Sequence, residues 1–395
     1  MNEPKLRFPE FKGEWEEKKL GDSFHERTEK NRDDLPLLSL GEEGLSYQSE
    51  TTRKDNSSAD KSKYLRVAIG DIAYNTMRMW QGRCVFVDKE GIVSPAYTVC
   101  EPKEGIDSMF HYYLFKTDGM IRMFHQNSQG LVSDTLNLKY DAFSKIKYCL
   151  PPTPAEQPKI ASCLSAMDDL IAAQAEKVEA LKEKKAGLMQ QLFPQNGETT
   201  PRLRFPEFTG EWVEKNINDC FEFKQGVQCP VDLQALQKRD GYIRFIRIID
   251  LTQSGEPPRY IADPGLAHHI CKEDLFMVRY GSPGLVGYGY EGIIANNLFR
   301  LLPKFDMCTK FFKDILTALH KNIAALCGIG ALPAINFSTL GLLRISLPPT
   351  IAEQQKIADC LSALDDQIAA ETEKLTALKD YKKGLMQQLF PQPAK

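Results

Sequence analysis

The 395-residue sequence has no uninterrupted run of 18 apolar residues, so no segment is long enough to cross a bilayer as a helix. It opens without a basic stretch leading into an apolar one, and the expectation is a cytoplasmic protein with no membrane partner. Its ten cysteines include no C-x-x-C pair, which argues for reduced, structural thiols. Neither H-E-x-x-H nor a phosphate-binding loop occurs, and His268–His269 has no partner at metal-ligand spacing. With a net charge of −3, the chain also lacks the overall positive surplus that marks many nucleic-acid binders.

What is present is a duplication. "GLMQQLFPQ" stands at Gly187–Gln195 and again at Gly384–Gln392, 197 positions later. "LRFPEF" at Leu6–Phe11 and Leu203–Phe208, and "LPPT" at Leu150 and Leu347, repeat at the same interval. Between 150–195 and 347–392, 34 of 46 positions are identical, while the stretches between these blocks differ. A fixed long period means two copies of one structural unit, with a shared frame and divergent inserts.

The frame reads as two long helices. Thr153 and Thr350 precede Glu156 and Glu353 by three residues, the spacing of a capping box in which each Glu reaches back to its Thr. Pro154 suits a first helical position, Pro158 lies where it would bend copy one, and Pro194 and Pro391 end the helices. Apolar residues then step by four and three: Ile160, Leu164, Met167, Ile171, Val178, Leu181, Leu188 and Leu192, with Ile357, Leu361, Leu364, Ile368, Leu375, Leu378, Leu385 and Leu389 in copy two. At 1.5 Å per residue, the span from Ala155 to Leu192 makes a rod of roughly 57 Å. Such a seam needs a partner, and an antiparallel pairing of the two copies is expected. It would set Lys185 opposite Glu371 and Lys382 opposite Gln174. A parallel dimer between chains is the competing arrangement. Ala161, Ala172, Ala173, Ala180 and Ala186 on the outer face would admit another helix, although alanine also simply favours helix.

The inserts, 14–149 and 211–346, are rich in β-prone runs broken by Gly, Pro, Asn and Asp, such as "YLRVAIGDIAYNTM" and "YIRFIRIIDL". "KEG" and "YEG" sit between such runs as hairpin turns would. "MFHYYLFKTDGMIRMF" and "KFFKDILTALH" read as helices, so each insert is an α+β domain. Polar residues gather at the turns: Asn75, Arg78, Trp80, Gln81 and Arg83, then Asn127 and Gln129, in the first insert. The second has Lys224, Gln225, Arg244, Arg247, Tyr288, Tyr290, Asn296 and Asn297. Arg, Lys, Asn and Gln can read base edges, and a lysine such as Lys63 can hold a phosphate. Loop solvation is the blander account of the same clusters. Charge does not decide: 22–149 carries 17 basic and 19 acidic residues, and 220–346 carries 14 and 11.

No active site is visible. "GYGYEG" at Gly287–Gly292 fits G-x-G-x-x-G but lacks the following helix and reads as a hairpin. Asp88 with Glu101 and Lys103 faintly mimics a nuclease's acidic pair and lysine, but Pro102 interrupts the strand such a site needs. No catalytic residue, metal ligand or cofactor is expected.

A chain ordered as variable domain, long helix, variable domain, long helix resembles the specificity subunit of type I restriction-modification enzymes. The residues that carry the likeness are "LPPTIAEQQKIADCLSALDDQI", the "GLMQQLFPQ" endings, the "LRFPEF" openings with "GEW", and "GDIAYNTMRMWQG". Copy one departs from the pattern with "PAEQPKIA". The resemblance implies an α+β chain with target recognition domains at 1–150 and 196–346, and spacer helices at 151–195 and 347–395. These helices would pair as an antiparallel coiled coil about a pseudo-two-fold axis, with Ile160, Leu164, Ile171, Val178, Leu181, Leu188, Ile357, Leu361, Ile368, Leu375, Leu378 and Leu385 at its core. It further implies a non-catalytic reader of a split, asymmetric double-stranded DNA site. The helices would dock two modification (methyltransferase) subunits, and restriction (endonuclease) subunits would join through the complex. A 57 Å rod would match about 17 base-pair rises. The alternative is a coiled-coil scaffold with two β-rich protein-binding domains.

Overall fold

Each insert is closed at its root by a two-stranded antiparallel ribbon. In the computed structural model, which describes residues 3–41, 44–51, 57–130, 135–194, 198–253, 255–327 and 333–391, Glu16–Lys19 pairs with Lys147–Leu150, and Val213–Asn216 with Arg344–Leu347. The chain therefore enters and leaves each domain at one place, beside the start of the helix that follows. Gln195 and Gln392, the last letters of the repeated endings, lie outside the described residues.

The chain divides into two compact units, Met1–Ala175 with Glu373–Lys395, and Glu176–Thr372. Each unit holds one domain, the first half of the helix that leaves it and the last half of the other helix.

In the first unit, four antiparallel strands lie in the order Phe24–Glu26, Tyr97–Pro102, Ile72–Asn75, Cys84–Phe86. Side chains alternate across a strand, and here both faces are covered. Ile72 and Tyr74 join an aromatic core with Phe24, Phe115 and Phe143 from the helical side. Ala73 faces a second core of Val67, Val85, Val93 and Val99. That is why Ile72, Ala73 and Tyr74 follow one another as apolar residues with no polar one between them. The second unit repeats the plan with Phe221–Gln225, Leu298–Pro303, Leu275–Val278 and Val286–Gly287. Leu275 and Met277 face its helical core, Phe276 and Val278 its outer one.

Two expected hairpins are not hairpins. Cys84–Phe86 pairs with Ile72–Asn75, whereas Gly91–Val93, beyond "KEG", pairs with Leu65–Val67. Likewise Val286–Gly287 pairs with Leu275–Val278, while Gly292–Ile294, beyond "YEG", pairs with Tyr242–Ile246 and His269–Ile270. Both tripeptides carry the chain from one sheet to another. Gly292 is required there: its φ is 143°, and a Cβ would lie 2.3 Å from the Arg244 carbonyl oxygen.

The helices run Glu156–Leu192, 37 residues, and Ile351–Leu389, 39 residues. Copy one starts two residues late because its first residues form turns, with Glu156 N–H donating to the Thr153 carbonyl. Pro158 is thus the third helical residue, inside the first turn, where a missing N–H costs no helical bond. The expected bend has no cause there.

The Glu of each "TxxE" does not close a capping box. Thr350 Oγ1 accepts from Glu353 N–H at 3.3 Å, but the carboxylates are taken by the "LRFPEF" arginines. Arg7 Nε and Nη2 donate to Glu156 at 2.8 and 2.8 Å, and Arg204 does the same to Glu353 at 2.8 and 2.9 Å. Both carboxylates are fully buried, where a bidentate guanidinium outcompetes a backbone N–H.

The helices pair antiparallel, in a register one heptad from the expected one. Lys382 binds Asp168, Lys185 binds Asp365, and Lys177 binds Glu371. The first two pairs are repeat equivalents whose numbers sum to 550, and the third sums to 548. Facing positions therefore sum to about 549 rather than 556. At 549 all ten seam positions from Ile160 to Leu192 meet one from Leu389 to Ile357, whereas at 556 Ile160 and Ile357 would face nothing. Full overlap of the seam wins. Gln174 and Val178 are buried in mid-seam, while Ile171, Leu181, Ile368, Leu375 and Leu378 are half-buried. Toward their ends the helices bury into the domains. Ile160, Leu164, Leu385, Leu389 and Phe390 enter the first core, and Leu192, Phe193, Ile357 and Leu361 the second, with Leu188 packed against it. Ala161 belongs to the first core and is not an outer contact, whereas Ala172, Ala173, Ala180 and Ala186 are exposed.

Candidate nucleic-acid interface

The densest predicted cluster sits on a short, well-braced turn. The strand Ile72–Asn75 ends with Asn75 Oδ1 accepting from Met77 N–H at 2.9 Å and the Asn75 carbonyl accepting from Arg78 N–H at 2.9 Å. A 3₁₀ turn, Met79–Gln81, follows, and buried Met79 plugs it into the core. The Trp80 indole N–H donates to the Met77 carbonyl at 3.0 Å, and its ring meets His125 edge-on at 5.7 Å. Gly82 ends the turn with φ 72°, and Ile121 would lie 2.9 Å from a Cβ there. Arg78, Gln81 and Arg83 are therefore exposed side chains on a fixed backbone. Asn75, Arg78 and Arg83 line one cavity of about 310 Å³ together with Tyr97 and Lys116.

The other first-domain residues are more scattered. Lys63 is exposed on a separate turn, after Asp60. Asn127 ends the helix Asp118–Asn127 with its amide donating to the Met123 carbonyl at 2.8 Å. Gln129 exchanges backbone hydrogen bonds with Asn137 and leaves its side chain exposed.

In the second unit most of the named residues have partners within the chain. Arg247 Nε donates to Asp250 at 3.0 Å and Nη2 to the Pro257 carbonyl at 3.2 Å. Tyr290 hydroxyl donates to the Asp250 carbonyl at 3.0 Å, and Lys224 Nζ to the Ala267 carbonyl at 2.8 Å. Arg244 is the more open of the two arginines, 3.6 Å from Asp250 and 6.0 Å from the Tyr290 ring centre. Tyr288 packs against the aromatic core. Asn296 and Asn297 form the turn before Leu298–Pro303; the Asn296 carbonyl accepts from Gln225, and Asn297 Oδ1 is buried with no hydrogen bond. Arg279, on the turn after Leu275–Val278, donates to Gln225 Oε1 at 2.9 Å. It occupies the place of Thr76 in the first domain, its N–H donating to the Asn297 carbonyl as that of Thr76 donates to Ala96, and sequence reading passed over it because no cluster surrounds it.

The groups that faintly suggested catalysis are engaged elsewhere. Glu101 pairs with Arg27 at 3.0 Å, Lys103 Nζ donates to the Gly21 carbonyl at 2.6 Å, and His269 Nε2 lies 2.8 Å from Asp263. Among the described residues no group of His, Cys, Asp and Glu is placed to hold a metal ion, and no helix is long and apolar enough to cross a membrane.

A repeated frame that presents two different sets of polar loops defines a tandem recognition protein. The family profile of the type I restriction modification DNA specificity domain matches the chain twice, over residues 12–183 and 209–380. The type I restriction enzyme MjaVIII specificity subunit of Methanocaldococcus jannaschii is 24% identical over 415 residues, covering 98% of this chain and 93% of that one. The MjaIX specificity subunit of the same organism is 29% identical over 319 residues, 73% of this chain and 69% of that one. The solved S subunit of the type I system from M. genitalium matches 99% of this chain and 100% of its own, with a TM-score of 0.62 at 16% identity. A chain from a study of complex assembly in a type I system has a TM-score of 0.61 at 15% identity, over 98% and 99% of the two chains. The chain belongs to the type I restriction-modification DNA specificity family and carries two copies of its recognition domain.

Proposed function

We propose that this chain gives a type I restriction-modification complex its DNA sequence specificity by reading a bipartite, asymmetric double-stranded site. Residues 1–150 and 196–346 are the two target recognition domains, and 151–195 and 347–395 the spacer helices. The observation that carries this reading is the contrast between frame and loops. The Arg–Glu clamp, the Asp–Lys pairs and the helix endings recur in both units, while Arg78, Gln81 and Arg83 have no counterpart cluster in the second. Equivalent frames supply equivalent platforms, and two modification subunits dock on them, with restriction subunits joining through the complex. Different loops read different half-sites. The chain supplies no catalytic group of its own and needs no cofactor.

Replacing residues 211–346 with the matching segment of a relative tests this. The methylated motif, read by single-molecule sequencing, should change in one half only. A motif altered in both halves, or in neither, would overturn modular reading. Native mass spectrometry of the co-expressed complex should show two modification subunits per copy of this chain; one as the limit would overturn the two platforms. A sequence-indifferent complex would leave the protein-binding scaffold in its place.

A further inference from the structure

Lys116 lines two cavities in the first unit. One is that beside the Arg78–Arg83 turn. The other, about 470 Å³, is walled by Lys116, Asp118, Asp168, Lys379, Lys382 and Lys383. Its charges are unevenly spent. Lys382 binds Asp168 and lies 4.9 Å from the Tyr113 ring centre, so that pair is satisfied within the chain. Lys116 rests on Tyr112, 3.9 Å from the ring centre with Nζ donating to the hydroxyl at 2.5 Å, a neutral partner that leaves its charge uncompensated. Lys379 and Lys383 are exposed and make no ion pair among the described residues. Asp118 is the one lining carboxylate set against these three cations.

The second unit has the same junction with its cations paired: Lys313 lies 2.9 Å from Asp314 and 3.0 Å from Asp365, which Lys185 also binds. Asp107 N–H donates to Gln157 Oε1 at 3.0 Å and Cys308 N–H to Gln354 Oε1 at 3.1 Å, which aligns the two domain helices and puts Thr317 at the place of Lys116. Ala186 stands for Lys383, and Lys182, the counterpart of Lys379, is paired with Glu179 at 3.3 Å. The basic surface is therefore not a by-product of the frame. It exists only where it continues from Arg78 and Arg83, in a domain whose insert is otherwise net acidic.

We infer that Lys116, Lys379 and Lys383 form a track for the DNA phosphate backbone, extending the first domain's reading surface onto the second long helix. This rests on the DNA-reading function proposed above. Flexible ammonium groups on an open surface suit phosphates and carry no base information. The track holds the duplex beside the first half-site whatever its sequence.

The test uses the complete complex with its modification subunits and a labelled duplex carrying its methylation motif, titrated with salt. For Lys116→Gln/Lys379→Gln/Lys383→Gln, the slope of log affinity against log salt should fall by about 0.9 per lost contact. Binding should weaken equally for the motif and a scrambled duplex. Lys379→Gln/Lys383→Gln, both exposed positions, should give two thirds of that change, and Lys182→Gln none. An unchanged slope, or a changed preference for the motif, would overturn the track. So would loss of a modification subunit from the variant in native mass spectrometry, which would assign the lysines to a protein partner. A wild-type complex with no preference for its motif would overturn the DNA-reading proposal itself, a result distinct from a motif-selective complex indifferent to the lysines.

Discussion

Arg7 and Glu156, 149 residues apart, are joined by two parallel hydrogen bonds, and the Glu156 carboxylate has no exposure to solvent. Arg204 and Glu353 repeat the arrangement. The arginine also donates to the Gly13 carbonyl, so one guanidinium ties the opening motif, its turn and the helix start together. Removing one partner leaves a buried charge alone. Arg7→Ala should destabilise the first unit by about 3–5 kcal/mol. Arg7→Met with Glu156→Met should lose clearly less, because no charge is stranded. Urea unfolding of the full chain measures both, and equal losses would show that packing, not charge, holds the clamp.

The helix register gives a second test. Asp168 and Lys382 are partly exposed, so the pair contributes on the order of 0.5–1 kcal/mol. Asp168→Lys should destabilise, and adding Lys382→Asp should restore much of the loss in a double-mutant cycle. Rescue of Asp168→Lys by a charge placed seven residues from Lys382, in place of Lys382→Asp, would favour the shifted register. The second pair differs from the first in its third member. Burial raises the Asp365 pKa, but Lys185 and Lys313 together outweigh it and hold the carboxyl below the usual range. Tyr113 fills the corresponding role at Asp168, donating at 2.8 Å.

Reading and positioning separate at the Arg78–Arg83 turn. As base readers, Arg78, Gln81 and Arg83 should each cost about 1–3 kcal/mol against one base pair when replaced by Ala. Competition binding by the assembled complex, with every single change in the first half-site, would show relaxed discrimination at one position and none in the second half-site. Uniform weakening would demote the turn to backbone contact.

A buried polar trio sets the acid sensitivity of the first domain. His111 Nδ1–H donates to the Asp107 carbonyl at 2.8 Å, and its Nε2 accepts from Tyr148, whose hydroxyl also meets Ser23. Burial pushes the His111 pKa down to about 4. An unfolded histidine protonates near its ordinary value of about 6.5, so between those limits the unfolded state takes up the proton and the folded state does not. Stability should therefore be complete above that ordinary value and fall with pH, by roughly 3 kcal/mol at pH 4. In the second unit Cys220, Phe312 and Ile345 occupy the three places, and Phe24–His111 and Phe221–Phe312 share the same 5.0 Å, 90° contact. Ser23→Cys/His111→Phe/Tyr148→Ile should flatten the dependence, as read by thermal melts from pH 7.5 to 4.5.

How much of this was legible in the sequence depended on its period. The long helices, their antiparallel pairing and the α+β inserts follow from a heptad seam and β-prone runs that local chemistry enforces. The register did not, because a slip of seven leaves the seam pattern unchanged and only overlap at Ile160 and Ile357 decides. Glu156 and Glu353 misled for a different reason: a capping box is local, and their true partners lie 149 residues upstream. Gly91 and Gly292 looked like hairpin glycines because a sheet crossing and a hairpin use the same residues. The Arg78 cluster was visible as a density of polar side chains, whereas Lys116 and Lys379 are 263 positions apart and only the fold brings them to one wall.

The two units also differ in when they can close during synthesis. Every residue of the second lies in one stretch, Glu176–Thr372. The first is completed by Leu385, Leu389 and Phe390, and the Phe390 ring meets that of Phe110 at a tilt, 5.3 Å between centres, across 280 positions of chain. On the ribosome the second unit can therefore finish first, while the domain translated earlier waits with Phe110, Ile160 and Leu164 uncovered. Contacts of such long range close slowly, and the waiting surface is a natural client for a chaperone.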